Sequence, residues 1–423
     1  MYPIQTSGRL TMEAKRLKVL MLSDPLFRCT GYGNTNLSQL PYLQQVFDMC
    51  YIPWGWTGLE PSYGDLTKVF PGIEFYPALG EYHGRDVLLH VVQKCKPDVI
   101  LLHGDIYMFS DSMLDQLTEL RGKVCIIGMY PLDGENVPSK WIPFMEKLDG
   151  LITLNEFGRT ETLKHVKAPV RVMNLGVDTD MFKPITASEK AFLRQTKFPF
   201  MGDSFVVSWV GRNFNRKNPG LAIMGFSQWV KKAKPKNVML YMHCADDDPA
   251  GNSILELVRR DFPNINQMVC LPDKMIPGAG VHRKVLAELM QCSDVGLNTS
   301  LGEGWGMPIT ESMACGVPVI VPAHSACMEQ VGANEERGEL IDIAADFHAS
   351  NNIMQHIGDV KSLASKLDLL YSNHNRYQKK AKAGLEYASK LTWERSSQQL
   401  VDHIIEFYTN FNEEIPRSRI EVM

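Results

Sequence analysis

Two carboxylates in the stretch LNTSLGEGWGMPITESMACGVPVIVP, residues 297–322, are the first candidates for chemistry. Glu303 lies in a glycine-rich loop, and Glu311 follows after seven intervening residues, in a segment that we predict to be helical. The glycines let the backbone approach a ligand closely, and the start of the helix offers free N–H groups to anionic oxygens. Such a site suits a ligand that carries both hydroxyl groups and phosphate. A nucleotide-sugar fits that description.

The elements that position these carboxylates are predicted to follow the order strand, loop, helix, strand. The helix opens at Met307-Pro308 and stops at Gly316, because proline is tolerated in a first helical turn and glycine ends helices. The segment VPVIV that follows is typical of a buried parallel strand. The alternative interpretation is an ordinary strand–helix–strand turn with two solvated glutamates.

The stretch EGWGMPITESMACGVPVI resembles the donor-site motif of retaining glycosyltransferases of family four (glycosyl transferases group 1), which have the GT-B fold. That motif is a Glu, an aromatic–Gly pair, a Pro-x-x-Glu and a small-residue helix ending in Gly-x-Pro-Val. The resemblance implies that Glu311 accepts hydrogen bonds from ribose hydroxyls and that Glu303 holds sugar hydroxyls, helped by backbone amides. It places these residues in the donor site: Glu303, Gly304, Trp305, Gly306, Met307 and Glu311.

A basic loop follows the strand-like segment FVVSWVGR, which ends in Gly211 and Arg212. In the family this strand end supplies an Arg and then a Lys that bind the donor diphosphate, and Arg212 and Lys217 match those positions. The resemblance therefore assigns both residues, with Glu303, to donor binding and catalysis, and Gly211 to donor binding. Two fixed cations stabilise the charge that grows on a leaving nucleoside diphosphate. The adjacent Arg216 is an alternative to Lys217, and a solvated basic loop is the alternative to a site.

The first half of the chain opens with a predicted strand, LKVLMLS, a polar glycine loop, DPLFRCTGYGN, and a helix over about residues 35–45. The loop lacks the GxGxxG pattern, and no acidic residue follows a second strand at the usual spacing, so the sequence does not support a nicotinamide cofactor. In the family the equivalent loop faces the donor phosphates and the acceptor. The resemblance therefore makes Gly31 and Gly33 candidates for the site, with a plain tight turn as the alternative.

The sequence departs from the family at the fifth strand of the first domain, where many members carry a histidine that touches the donor sugar. Here KVCIIGMYPLDG ends in Tyr130-Pro131, with Asp133 just beyond. Asp133 or Tyr130 is expected to replace that histidine at the reacting centre. His103, at the end of the preceding strand, is a second candidate, and its alternative is a strand-end histidine bonded to backbone.

Three further segments carry weaker predictions. The segment WGWTGLEPSYGD, residues 54–65, is predicted to be a long loop for acceptor recognition, with capping of an apolar edge as the alternative. The segment AHSACMEQVG resembles the family loop against the donor sugar, with contacts from Ser325 and the amides of Ala326 and Cys327. The acidic run ADDDPAGNS suggests helix capping rather than a metal site, and we expect no metal.

The length and composition predict a soluble protein of two domains. The chain has 423 residues, a net charge of −4 and nine scattered cysteines without a CxxC pair, which suggests reduced thiols and a cytoplasmic location. We find no apolar run long enough to span a bilayer. The predicted divisions are a mobile leader (1–16), an acceptor domain (17–183, completed by a helix at about 394–423), a linker (184–203) and a donor domain (204–393).

The resulting prediction is an α/β protein with the GT-B fold, whose two Rossmann-like domains carry parallel sheets facing across a cleft. The resemblance implies a metal-independent retaining hexosyl- or pentosyltransferase that needs no cofactor and uses a nucleoside-diphosphate sugar as donor. The acceptor stays open among a glycan, a small molecule, a lipid and a modified nucleic acid, as does peripheral association with a membrane. The alternatives are a nucleotide-sugar epimerase and a non-catalytic nucleotide-sugar-binding protein of the same fold.

Overall fold

The computed structural model describes residues 16–58, 66–110, 113–275 and 280–414. Most of the predicted leader, the end of the predicted acceptor loop (residues 59–65) and residues 415–423 of the predicted C-terminal helix lie outside these ranges. No helix in the described ranges combines the length and the apolar character needed to cross a lipid bilayer.

The first domain is built on a seven-stranded parallel sheet with the order β3-β2-β1-β4-β5-β6-β7. Its strands are apolar on both faces because helices cover both sides, as the near-continuous apolar runs predicted. The strands are β1 Lys18–Ser23, β2 Asp48–Pro53, β3 Glu74–Phe75, β4 Val99–His103, β5 Cys125–Tyr130, β6 Gly150–Thr153 and β7 Val170–Val172. The helices are α1 Gly31–Val46, α2 Leu66–Val69, α3 Leu88–Cys95, α4 Ile106–Ser110, α5 Leu114–Leu120, α6 Ile142–Met145 and α7 Glu156–Leu163.

The second domain is built on a six-stranded parallel sheet with the order β10-β9-β8-β11-β12-β13. The strands are β8 Phe205–Val210, β9 Val238–His243, β10 Val269–Cys270, β11 Val295–Leu297, β12 Val319–Pro322 and β13 Glu339–Ile341. The helices from residue 187 onward are α8 Ala187–Thr196, α9 Pro219–Ala233, α10 Ile254–Asp261, α11 Arg283–Cys292, α12 Met307–Ala314, α13 Ser325–Val331, α14 Val360–Ser372, α15 His374–Ala388 and α16 Trp393–Glu414.

Each sheet has a point where the strand order reverses, between β1 and β4 in the first domain and between β8 and β11 in the second. Open parallel sheets bind ligands in the crevice outside the carboxyl ends of the strands at such points. The loops that leave β1 and β4 therefore lie where the topology favours a site, and so do the loops that leave β8 and β11.

Two elements differ from the sequence-based expectation. An antiparallel hairpin that the sequence did not predict follows β13, formed by β14 Ile343–His348 and β15 Met354–Gly358. The predicted polar linker contains helix α8, which starts with a capping box between Thr186 and Glu189. The capping box satisfies the first N–H groups of a helix whose side chains are partly or fully exposed.

The last helix returns to the first domain, as the sequence predicted. Helix α16 packs on α1 and on β5. Its Phe407 is 1% exposed, and its Glu406 forms an ion pair with Arg171 at the start of the first domain's last strand. Beside this return, the N–H of Val177 donates to Leu391 O at 2.7 Å, and Val177 forms a parallel bridge with Thr392. The two segments that connect the domains therefore run side by side.

Candidate active site

Glu303 is the centre of the polar cluster that follows β11. Its side chain is almost completely buried, and its Oε1 lies 2.5 Å from Lys217 Nζ and 2.6 Å from Ser300 Oγ. Its Oε2 lies 3.2 Å from a guanidinium nitrogen of Arg216. The cluster therefore joins a carboxylate from the β11 loop to two cations from the β8 loop.

Local hydrogen bonds hold the two loops together. The N–H of Leu301 donates to Arg216 O at 2.7 Å, and Thr299 Oγ1 donates to Asn218 O at 2.9 Å. Thr299 Oγ1 in turn accepts a hydrogen bond from the indole nitrogen of Trp209 on β8. Because β8 and β11 are neighbours in the sheet, their loops leave from the same edge, and these bonds fix the two cations over Glu303.

The electrostatics of the cluster follow from burial and pairing. Burial alone would raise the pKa of Glu303, but the charges of Lys217 and Arg216 and the hydrogen bonds to it hold that pKa well below its usual range. Burial lowers the pKa of Lys217, and the charge of Glu303 opposes that effect. The pKa of Arg216 is raised because the carboxylates of Glu303 and Asp133 outweigh its desolvation. Glu303 is therefore a carboxylate held by two cations across the neutral pH range.

The first domain closes over this cluster through the segment that follows β5. Asp133 Oδ2 lies 3.2 Å from Arg216 Nε, so this ion pair crosses from one domain to the other. A Cβ added to Gly302 would lie 1.7 Å from Asp133 O, and one added to Gly304 would lie 2.1 Å from Pro131 Cβ. From the sequence, these glycines are expected to leave room for a ligand. In the structure they make room for the other domain.

Arg212 does not join the cations on Glu303. Its guanidinium forms a bidentate pair with Asp248, at 2.8 and 3.1 Å, and its side chain is about half exposed. In the same acidic run, Asp246 accepts a hydrogen bond from Leu255 N in the first turn of α10, as the capping interpretation predicted. Among the described residues, no group of three His, Cys, Asp or Glu side chains is arranged to hold a metal ion.

Helix α12 carries the second predicted glutamate, but in its second turn rather than its first. Glu311 is 2% exposed, and its Oε1 accepts a hydrogen bond from Arg283 on α11 at 2.7 Å. Met307 is the first residue of the helix, and Gly306 precedes it with a left-handed backbone, φ 86°. Trp305 is 3% exposed and packs in the apolar core. Glu303, the amides that follow it and Glu311 are thus carried by one loop and helix.

The segment AHSACMEQVG, predicted as a loop, forms helix α13, and the start of this helix supports the Glu303 loop. Glu303 N donates to Ser325 Oγ at 3.2 Å, and Ala326 N donates to Glu303 O at 3.4 Å. His324 donates from Nε2 to Ser300 O at 3.2 Å, and its Nδ1 lies 3.0 Å from Ser325 Oγ. Burial lowers its pKa to about 4, so its ring is neutral at pH 7. Cys327 is fully buried.

The predicted site residues of the first domain differ in burial and in whether they reach the Glu303 cluster. Gly31 opens helix α1 and is exposed, and Gly33 is buried in its first turn, where its N–H donates to Thr30. His103 is 1% exposed, its Nδ1 lies 2.7 Å from Asn36 Oδ1, and burial lowers its pKa to about 3. The hydroxyl of Tyr130 bonds Thr162 on α7. Of the two candidates after β5, Asp133 is the one that reaches the cluster.

Two polar residues of the cleft, Arg216 and Asp105, are more central in the structure than the sequence predicts. Arg216 was only an alternative to Lys217, yet it contacts both Glu303 and Asp133. Asp105, two residues after β4, accepts hydrogen bonds from the hydroxyls of Tyr32 and Tyr107. Burial and the nearby charge of Asp133 raise the pKa of Asp105 to about 7. The only signal in the sequence was its place after a buried strand at the reversal point of the sheet.

Comparisons of the whole fold define its class. HepE of Anabaena, in a structure with UDP and glucose, superposes with a TM-score of 0.66 at 16% identity, covering 92% of this chain and 100% of HepE. Sucrose-phosphate synthase from Thermosynechococcus elongatus gives a TM-score of 0.73 at 16% identity, covering 93% of this chain and 100% of that one. With its two parallel-sheet domains, the protein has the GT-B fold, as predicted.

Sequence comparisons add a family match over part of the chain. Residues 271–386 match the family described as Glycosyl transferases group 1, which confirms the resemblance seen in the donor-site motif. EpsD of Bacillus subtilis (strain 168), named as a glycosyltransferase, is 25% identical over 283 residues, or 64% of this chain and 62% of EpsD. The chain thus spans less than two thirds of the length of this relative.

Proposed function

We propose that this protein is a retaining glycosyltransferase that moves a sugar from a nucleoside-diphosphate sugar to an acceptor hydroxyl. The observation that carries the proposal is the buried cluster of Glu303 with Lys217 and Arg216, placed at the reversal point of the second sheet and faced by Asp133 of the first domain. A site with two fixed cations, a carboxylate and a helix N-terminus matches the charge pattern of a sugar attached to a diphosphate.

Each group has a role that follows from its charge and place. Lys217 and Arg216 stabilise the negative charge that develops on the departing diphosphate, since fixed charges in a site shielded from water stabilise a transition state strongly. Glu303 accepts hydrogen bonds from hydroxyls of the transferred sugar, with amides of Gly304 and Trp305 beside it. Glu311 accepts hydrogen bonds from the ribose.

Arg212 reaches the donor only after it leaves Asp248. Its side chain is about half exposed, which leaves room to rotate toward a phosphate, but the bidentate pair with Asp248 competes. We therefore assign the primary diphosphate contacts to Lys217 and Arg216, with Arg212 as an outer contact.

The reaction needs no enzyme nucleophile and no metal in this proposal. The departing phosphate takes the proton of the acceptor hydroxyl on the same face of the sugar, and the protein positions the reactants and stabilises charge. In this proposal Lys217 and Arg216 take the role that a divalent ion has in neutralising a diphosphate. Activity is therefore expected to persist in EDTA.

The donor site is tested by thermal unfolding against UDP-, GDP- and ADP-sugars. A ligand that binds only the native state raises the midpoint by mass action, so one nucleotide class is expected to raise it in proportion to the logarithm of its concentration. HepE was solved with UDP and glucose, which makes UDP-glucose the first probe.

The matched variant is Glu311→Gln, which keeps the size of the side chain and removes the charge that faces the ribose. We expect the shift to shrink in this variant and to persist in Asp402→Asn, a control on the exposed side of α16. If no nucleotide-sugar raises the midpoint of the unaltered protein, the donor-site assignment is wrong.

Turnover separates the proposal from its alternatives. A transferase leaks sugar to water, so the nucleotide-sugar that binds is expected to release nucleoside diphosphate and free sugar without an added acceptor. An epimerase of the same fold would yield an altered sugar, and a non-catalytic binding protein would yield no product. Product identity by mass spectrometry and NMR distinguishes the three.

A further inference from the structure

Asp105 is a carboxylate of the cleft that the mechanism above leaves without a role. It follows β4 at the carboxyl end of the first sheet, beside the point where the strand order reverses. The hydroxyl of Tyr32 on α1 and that of Tyr107 on α4 both donate to it. Its charged neighbours are Asp133 of the same domain and Arg216 of the other.

The tyrosines around Asp105 are positioned by the first domain. The ring of Tyr32 packs edge-on against His103, with centroids 5.2 Å apart, and against Trp54 at 6.3 Å. Tyr107 lies against Trp141 at 6.2 Å and remains 41% exposed. Asp105 is therefore held by aromatic donors of the first domain, and it remains half-buried beside Asp133 and Arg216.

Asp105 and Glu303 differ in the domain that carries them and in the charge of their partners. Glu303 belongs to the second domain and is bound by two cations, whereas Asp105 belongs to the first domain and is bound by neutral hydroxyls. Arg216 links the two sides, since it contacts Glu303 and Asp133 and also lies within electrostatic reach of Asp105. A carboxylate offers about four lone-pair sites, and the two tyrosine hydroxyls leave Asp105 with capacity to accept a further hydrogen bond.

We propose that Asp105 binds the attacking hydroxyl of the acceptor and orients its oxygen toward the donor sugar held by Glu303. This inference rests on the proposed function and names a residue of the first domain for the second substrate. Orienting a nucleophile within a few ångströms of the reacting carbon accelerates transfer, because it replaces a bimolecular encounter by a held geometry.

The step balances without further reactants. The bond from the sugar's anomeric carbon to the diphosphate oxygen breaks, and its electron pair leaves with the diphosphate. The acceptor oxygen forms the new bond to that carbon with its own lone pair, and its proton passes to the departing diphosphate. In the bound complex the acceptor hydroxyl donates its hydrogen bond to Asp105, which orients the oxygen. As the new bond forms, that same proton turns to the departing diphosphate, and Asp105 neither gains nor loses an atom.

The groups around Asp105 give this role a pH dependence. Burial and Asp133 favour the protonated form of Asp105, whereas the hydroxyls of Tyr32 and Tyr107 and the charge of Arg216 favour the ionised form. The pKa of Asp105 near 7 means that its acceptor capacity rises as the pH passes upward through neutrality. The rate is therefore expected to rise through pH 7 with it.

Water serves as the acceptor in the test, because it attacks from the same place and no natural acceptor is needed. The probe is whichever of UDP-glucose, GDP-mannose and ADP-glucose raises the unfolding midpoint. Asp105→Asn is expected to lower the rate of donor hydrolysis by about tenfold to hundredfold, the cost of one hydrogen bond to a charged group, and to remove the rise through pH 7. Its thermal shift with the same donor should match that of the unaltered protein.

Tyr107→Phe tests the pH dependence of the rate, which would not change if Asp105 had only a structural role. It removes one hydroxyl that favours the ionised form, so the rise in rate should shift upward by about 0.5 to 1 pH unit. Tyr82→Phe is the matched control, since Tyr82 is similarly exposed but its hydroxyl bonds Arg28. The control is expected to leave the pH profile in place.

The outcomes separate the two proposals. An unaltered protein that neither binds nor hydrolyses any of the three donors overturns the proposed function. A protein that binds and hydrolyses a donor, with a rate and a pH profile unchanged in both Asp105→Asn and Tyr107→Phe, overturns the role of Asp105 and leaves the donor site standing.

Discussion

Glu303 is a buried charge whose partners come from a different loop. Lys217 Nζ and an Arg216 nitrogen lie 2.5 and 3.2 Å from its two oxygens. Removing one partner of a buried ion pair leaves the others desolvated without compensation, which costs much more than losing a surface pair. The same groups that we assign to the donor therefore also stabilise the fold.

Glu303→Gln is predicted to abolish most donor hydrolysis and to lower the free energy of unfolding by about 3 kcal/mol. Because the pKa of Glu303 is depressed in the folded state, its contribution is present above pH 4.5 and is lost as the pH falls further. The variant should therefore lose stability at pH 7 and show a shallower decline in acid. Urea unfolding at several pH values measures both effects.

Glu386→Gln is the matched control for that prediction. Glu386 forms a surface pair with Lys382 at 3.9 Å, with both side chains well exposed, and such pairs contribute little. Equal losses of stability in the two variants would contradict a special role for the Glu303 cluster.

The sequence predicted residue types better than residue partners. Glu303, Lys217 and Asp133 were predicted from the motif and from strand ends, and the structure brings these three together. Arg212 was predicted for the same cluster but pairs with Asp248. The spacing of residues along the chain predicts which loop carries a cation. The direction of that cation's side chain depends instead on which carboxylate lies nearest in the folded structure.

The β14–β15 hairpin is the element that joins the two domains beside the site. Met354 and Glu135 exchange two backbone hydrogen bonds, at 2.8 and 2.9 Å, and His356 N donates to Leu301 O at 2.9 Å. Ile353, just before β15, is 2% exposed and packs in an apolar cluster with first-domain residues. The hairpin therefore fixes the Glu303 loop against the segment after β5.

Ile353→Ala is predicted to cost roughly 2 to 4 kcal/mol of unfolding free energy, because it empties space in a packed core. It should also weaken donor binding, since the Glu303 loop loses its support from the first domain. Phe347→Ala on the same hairpin is the control, since Phe347 is 40% exposed and should change little. Chemical denaturation measures the loss of stability, and the donor thermal shift measures the loss of binding. Equal losses in both variants would contradict the proposed role of Ile353 in holding the hairpin on the first domain.

The elements that the sequence predicted are those with strong local signals. The apolar runs of β1, β4 and β5 and the Pro-to-Gly span of α12 follow from composition alone. The hairpin was missed because IAADFH and MQHIG lack a clear apolar alternation, and β14 is largely exposed. Its pairing depends on Glu135, more than two hundred residues earlier, and no local pattern contains that contact.

At the scale of the molecule, one apolar cluster runs through both domains. It joins β1 and β5 of the first domain to Trp305 in the Glu303 loop and Ile309 in α12. It also includes Trp393 and Phe407 of α16. The two domains therefore share part of their core. We expect them to unfold together rather than as independent units.

Phe407→Ala tests this shared core. Phe407 is 1% exposed and packs on Gly150, where an added Cβ would clash with its ring, so truncation should cost about 3 to 5 kcal/mol. Amide hydrogen exchange is expected to rise in β5 and β6 and also in α12. Faster exchange confined to the first domain would show that the domains are energetically separate.

The paired crossings at Val177 and Thr392 have a further consequence for how the two domains move. The domains are tethered twice, and the tethers lie side by side, so opening of the cleft is restricted to rotation about an axis near these two residues. The polar groups that each domain contributes to the cleft (the half-sites) therefore meet at an effective concentration set by the geometry of the tethers. That effective concentration does not depend on the protein concentration. Dilution therefore does not separate the two half-sites, and each closure of the domains is a short intramolecular search.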